Sequence, residues 1–288
     1  MLAITLGFAT AVVYGFADFF GAIASRRLRP VLVTGLSSWL GLALLILTAV
    51  SGIMPANFTP IAIYWGVAGG LFSALGLSCL YKALAIGPIS ILSPLSALIS
   101  ALVPAIVGVG FLGETFSWLG WSAIGLVLVA VVLVGFVKAE GAVHPSMAGL
   151  LYGSGAGLGI GVVLICLHNA PADSGSATII VMRLMNGLIL GGFAAVQIWR
   201  GKVAASELSG LPRSLWLTAL ATGALDATAN VIFVLASRLG SLTVVSVLTA
   251  LYPLGTILLA RFVLKEKLAS WQVVGIGLAL GACILLAM

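Results

Sequence analysis

The sequence predicts an all-α polytopic membrane protein of ten transmembrane helices, arranged as two inverted five-helix repeats. Three observations lead there. The first is composition: 62% of the 288 residues are hydrophobic, only 7% are charged, and the mean hydropathy is +1.28. A soluble domain carries roughly a quarter charged residues, so this chain cannot cover its own surface in water. The second is that the apolar residues come in long blocks, each close to the ~20 residues that cross a hydrocarbon layer as a helix. The third is that two halves of the chain echo one another while their charges alternate.

The blocks run in order. Span 2–24 starts at once, with no positive leader region and no small-residue cleavage signal, so the first helix is expected to be retained. Span 31–51 follows the basic cluster Arg26, Arg27 and Arg29. Spans 61–84 and 89–112 meet around Pro88, and the second of them also contains Pro94 and Pro104. Span 117–137 closes the first half, and the segment Lys138 to Pro145 separates it from span 147–169. Span 176–199 is followed by the longest polar break, Arg200 to Pro212, and then come spans 214–237, 242–264 and 270–287. The expected domains are therefore 1–140 and 141–288. The net charge of +6 lies in residues placed singly or in threes between apolar blocks. That placement suits cytoplasmic loops beside anionic lipid and excludes a nucleic-acid footprint.

Internal similarity supports the division. "VGFLGETFSWLGWSAIG" from Val109 lies on "RFVLKEKLASWQVVGIG" from Arg261, placing Glu114 on Glu266. With a single-residue slip, "YKALAIGPIS" at Tyr81 matches "VLASRLGSLT" at Val234 and pairs Gly87 with Gly240. "GFATAVVYG" at Gly7 can be laid on "GLLYGSGAG" at Gly149. Five spans is an odd number, so a duplicated unit must enter the membrane in the opposite sense. Basic residues gather after odd-numbered spans (Arg26, Arg27, Arg29, Lys82, Lys138, Arg200, Lys202, Arg213, Lys265, Lys267), whereas Arg238 alone follows an even-numbered one. The positive-inside rule then predicts cytoplasmic odd connections, external even ones, and both termini outside. Glu114 falls in an external hairpin without Lys, and Glu266 in a cytoplasmic hairpin rich in it.

On these residues the chain resembles the EamA-type members of the drug/metabolite transporter superfamily over essentially its whole length. The most specific stretch is "ALYPLGTILLARFVLKEKLASWQVVGIGLALGACIL", similar to the family's proline-to-glutamate signature. The first half departs from it, with Ala101 in the place of Pro253. The resemblance implies a secondary transporter and an efflux direction, since such families export amino acids, other metabolites and drugs.

Ionisable groups near the bilayer centre cost about 2.5–3.5 kcal/mol on insertion scales, so each one invites a function. Asp226 lies midway along the eighth span, and Thr222, Asp226 and Asn230 recur every four residues on one helical face, with Phe233 roughly continuing it. That stripe suits the wall of a wet cavity, or a hydrogen bond between helices. Asp18 stands one turn from Tyr14. It either holds a cation beside the aromatic ring or pairs with Arg26 or Arg27. The resemblance, through its aromatic–glycine pair at Tyr14-Gly15, implies that this face lines the cavity. Arg183 and Asn186 form a further polar face on the seventh span. Arg183 either grips a substrate carboxylate or snorkels to the interface. Trp39 lies deep in the second span, and Tyr81 and Tyr252 are further candidates to line the pocket.

Other features read as structural. Trp65, Trp118, Trp121, Trp199, Trp216 and Trp271 stand near span ends, as an interfacial belt. Cys79, Cys166 and Cys283 are far apart and apolar in setting; with His144 and His168 they give no metal-ligand spacing, so no metal site is expected. Lys82 is expected to snorkel. The run "YGSGAGLGIG" from Tyr152 lacks the dinucleotide-loop spacing and reads as helix packing. No P-loop, HExxH motif or close pair of acids points to an enzyme, and no cofactor is implied.

The expected protein is a carrier in a bacterial-type inner membrane, with one site between the halves exposed alternately to each side. Its partners are a small-molecule substrate and the lipid bilayer, with protons as a candidate coupling ion. A monomer suffices and a dimer stays open. A small polar metabolite or amino acid is the first substrate class, with an organic cation or drug as the alternative; a channel-like facilitator is a different class again.

Overall fold

The computed structural model describes residues 1–25, 28–86, 89–135, 145–200, 212–263, 265 and 269–287, and these are helical throughout apart from their connections. The helices are α1 (Leu2–Ser25), α2 (Pro30–Val50), α3 (Pro60–Ile86), α4 (Ile89–Gly110), α5 (Trp118–Gly135), α6 (Met147–His168), α7 (Ala177–Trp199), α8 (Arg213–Leu239), α9 (Leu242–Thr249), α10 (Tyr252–Val263) and α11 (Ser270–Ala287). Among the described residues, nine stretches are long and apolar enough to cross a membrane, with α9 and α10 counted as one, and Ser270–Leu286 is a shorter apolar helix.

One span departs from expectation. Within the expected span 242–264, residues 242–263 do not form a single helix but two, α9 and α10, interrupted at Ala250-Leu251. Pro253 has no N–H with which to continue the ladder, and it suits the first turn of a new helix. In the first half α4 runs unbroken through Pro94 and Pro104, with Ala101 where the second half has Pro253. Membrane helices tolerate such prolines where neighbours pack against them, and α6 does so here: a Cβ on Gly161 would lie 3.3 Å from Pro104 Cδ.

Lipid tails are as apolar as leucine, so helix association in a membrane rests on close packing rather than on escape from water. Three glycine pairs join the halves. Gly15 of α1 meets Gly255 of α10, Gly41 of α2 meets Gly223 of α8, and Gly76 of α3 meets Gly159 of α6. A Cβ on Gly159 would lie 2.6 Å from the Gly76 Cα. The alternating glycines of α6 thus receive α3 on one side and α4 on the other, as Gly157 does against Ser96 and Ile99. A small apolar core gathers around Ala24, Leu32 and Leu215, and two larger ones form. One joins α1, α4, α5, α9, α10 and α11 around Ala101, Val131, Leu248 and Leu251; the other joins α2, α6, α7, α8 and α9 around Leu45, Leu167, Ile179 and Phe233.

The connections after spans two, four, six and eight gather at one end of the bundle, called here the even end. Ala56 forms an antiparallel bridge with Gly175, with Asn57 N–H donating to the Ser174 carbonyl and Ser176 N–H to the Pro55 carbonyl, both at 3.1 Å. Gly175 has φ 56°, and a Cβ there would also strike the Pro55 carbonyl oxygen, so only glycine fits without strain. Arg238 at the end of α8 donates to the Pro171 carbonyl at 2.8 Å. Glu114, between α4 and α5, accepts from the backbone N–H groups of Leu242 at 2.5 Å and Thr243 at 3.0 Å. Ser241 accepts from Val244 N–H at 3.2 Å, so the first turn of α9 is capped by its own half and by the other half together. With both copies of a five-span unit connected this way, the two halves cross the membrane in opposite senses. Glu266, the sequence twin of Glu114, lies outside the described residues.

Candidate functional site in the middle of the bundle

Half-way along their helices, α1 and α3 of the first half face α7 and α8 of the second. The spacing Thr222, Asp226, Asn230 puts these side chains on one face of α8, and the residues three apart, Arg183 and Asn186, share a face of α7. Arg183 and Asp226 form an ion pair through Nη2 and Oδ2. Its two members differ in access: the Arg183 side chain is 6% exposed and that of Asp226 31%. Arg183 therefore does not snorkel to the interface. It is held inside the bundle by a carboxylate 43 residues away in sequence.

Two hydrogen bonds between the halves flank this pair. The Tyr14 hydroxyl donates to Asn230 Oδ1 at 2.9 Å, and Asn230 Nδ2 in turn donates to the Asp226 carbonyl at 2.6 Å. Asn186 Nδ2 donates to Ser73 Oγ at 2.7 Å. The result is two neighbouring sets of polar contacts, Tyr14–Asn230–Asp226–Arg183 across α1, α7 and α8, and Asn186–Ser73 between α7 and α3. They are incomplete. Arg183 Nε and Asn186 Oδ1 are buried without hydrogen-bond partners, as are the hydroxyls of Ser37 and Ser38 on α2. Buried polar groups in native proteins are nearly all paired, and a half-satisfied network is costly in a low dielectric. Such a cluster in the middle of a membrane protein is suited to receive a ligand's own donors and acceptors.

The remaining candidates are arranged around the network. Asp18 is exposed and makes no hydrogen bond or ion pair among the described residues; Arg26 and Arg27, its alternative partners, lie outside them. It is close enough to act electrostatically on the hydroxyls of Tyr14 and Tyr252. Tyr252 begins α10 at the break, where Thr256 Oγ1 donates to the Gly15 carbonyl at 2.9 Å and ties α10 to α1. Trp39 lies over α7, its indole 3.1 Å from a Cβ on Gly187 and 3.3 Å from one on Gly191, and it is still 41% exposed. Tyr81 belongs to α3, but its side chain is outside the described set.

Phe233 does not continue the polar stripe. It is fully buried in the apolar core shared by α2, α6, α7 and α8, among Leu45, Leu167 and Ile179. Ser73 was not singled out from the sequence, since serine is an ordinary residue in membrane helices. A signal was available: the register that pairs Gly87 with Gly240 also pairs Ser73 with Asp226. The role of Glu114 was likewise missed, because its partners are backbone groups of the other half.

A groove of about 460 Å³ lies apart from this centre, between α4, α5 and α9. Leu102, Ile106, Trp121 and Leu128 line it, and none of its walls carries an ionisable group. It suits a lipid chain and not a polar solute.

The profile of the EamA-like transporter family matches residues 1–136 and 147–288, nearly the entire chain. Among curated proteins the comparison finds no match. A solved crystal structure that is 16% identical superposes with a TM-score of 0.80, covering 99% of this chain and 98% of the other, and this likeness extends to the fold.

Proposed function

The chain belongs to the EamA-like transporter family, part of the drug/metabolite transporter superfamily, and from that premise we propose a secondary carrier that moves a small polar metabolite or amino acid by alternating access. The observation that carries this reading is the incomplete polar network at half depth, built by both halves, with the buried Arg183 paired to a partly open Asp226. A ligand seated there touches α1 and α3 on one side and α7 and α8 on the other, so its binding energy depends on how the halves are set against each other. That dependence is what alternating access requires. The fastened even end, with Asp18 exposed on the other side of the network, supports a state closed at the even end. With the even connections outside, as the charge pattern predicts, the substrate enters from the cytoplasm and leaves by efflux from a bacterial-type inner membrane.

Counterflow tests the reading. Proteoliposomes loaded with one amino acid or related metabolite at a time are given a trace of the same labelled compound outside. A carrier accumulates label transiently and saturates with concentration, and the Arg183→Gln variant loses both. Linear, non-saturating entry for every compound that passes would replace the carrier with a channel-like facilitator.

One observation favours the second substrate class. Asp226 is already engaged by Arg183, whereas Asp18 is exposed, unpaired among the described residues and near two phenols. A cationic headgroup, or a proton competing with it, suits that corner. On this reading Asp18→Asn abolishes counterflow of quaternary amines and leaves that of zwitterions intact.

A further inference from the structure

The ion pair differs from the rest of the network in lying wholly within the second half, between α7 and α8, while the flanking bonds Tyr14–Asn230 and Asn186–Ser73 run between the halves. A carrier that changes conformation must slide α1 and α3 past this spot. Among the described residues, Arg183 Nη2 is the guanidinium nitrogen with a hydrogen-bond partner, and the buried Nε has none. Guanidinium stays charged in proteins, so Arg183 brings a permanent positive charge to a buried place inside the bundle. Only a negative charge at that place removes the penalty of keeping it buried while the halves move, because leaving one member of a buried pair alone is the unfavourable case. Asp226 supplies that charge, and it does so from the open side, with 31% of its side chain accessible against 6% for Arg183.

We infer that Arg183 is an anion site whose resident occupant is Asp226, and that this internal carboxylate is what allows the carrier to change conformation with no substrate bound. The inference rests on the carrier reading of the preceding subsection. It extends that reading to the unloaded half of the cycle: the empty protein moves because its central arginine is already neutralised. Without Asp226, an external carboxylate must take the place before the halves can move.

The test needs no knowledge of the substrate. Spin labels at Phe58→Cys and Ala172→Cys, both at exposed positions of the even end, report its opening by electron–electron distance measurement, with Cys79, Cys166 and Cys283 replaced. The unloaded wild-type background shows two separations, the one of this structure and a longer one. Asp226→Asn, which keeps the side-chain volume, loses the longer separation in sodium chloride. Sodium formate at the same ionic strength restores it in Asp226→Asn and changes nothing in the wild type. The doubly neutral Arg183→Gln/Asp226→Asn protein shows both separations without formate, which separates a charge effect from damage to the fold. Retention of both separations by Asp226→Asn in chloride, or failure of formate to restore the longer one, overturns the inference while the carrier reading stands. A single separation in the wild type under every condition overturns the carrier reading and the inference with it.

Discussion

The even end and the middle of the bundle are joined by different kinds of contact. At the even end the partners are mostly backbone groups. Glu114 holds two amides of α9, Arg238 holds the Pro171 carbonyl, and a single β-bridge joins residues 55–57 to 174–176. In the middle the bonds run mainly between side chains, and several buried polar atoms are left without partners. Backbone groups must be satisfied in any membrane protein, so the even-end contacts act as fastenings whose geometry is set by the fold. An unfinished side-chain network has spare donors and acceptors, and only there does a ligand gain by entering. On the proposed carrier reading, the contrast separates what holds the halves together from what receives a solute.

The largest expected effect breaks the middle. Arg183→Ala leaves Asp226 without its cation between α7 and α8, and losing one partner of a buried pair destabilises by about 3–5 kcal/mol. Thermal unfolding in detergent should fall sharply, with little change in backbone protection at Leu242 and Thr243. Next comes the even end. Glu114→Ala removes two hydrogen bonds from a half-buried carboxylate, at about 1 kcal/mol each where water partly replaces it. Hydrogen exchange should rise at the Leu242 and Thr243 amides while the Arg183–Asp226 pair persists. Gly175→Ala is expected to cost about 1–2 kcal/mol, since alanine pays for φ 56° and also meets the Pro55 carbonyl. The smallest effect is that of Tyr14→Phe, which removes one neutral hydrogen bond to Asn230 at about 1 kcal/mol. If Glu114→Ala abolished solute binding as fully as Arg183→Ala, the distinction between fastening and recognition would fail.

Much of this centre was legible in the sequence. Asp226, Asn230, Arg183, Asn186 and Tyr14 stand out because charged and amide side chains are rare in apolar runs and expensive there. Helical spacing placed the first two on one face of α8 and the next two on one face of α7. Their pairing was not legible. Whether Arg183 reaches a ligand, the interface or Asp226 depends on how α7 sits against α8, and no local pattern encodes that. Pro253 was a visible place for a bend, yet the apolar run around it is as long as any other span, and the interruption at Ala250-Leu251 depends also on the close approach of α10 to Gly15. Glu114 announced itself by its repeat at Glu266, but a carboxylate bound to backbone amides of the other half leaves no mark in either hairpin.

Alternating access, as proposed, opens the middle of the bundle to one side at a time and to both sides in turn. The most direct measurement is the reaction of an Asp18→Cys protein, free of native cysteines, with a membrane-impermeant maleimide in vesicles of each orientation. The account predicts reaction from both faces, with the two rates changing in opposite directions when a transported solute is added. Reaction from one face only, whatever solute is present, would contradict it.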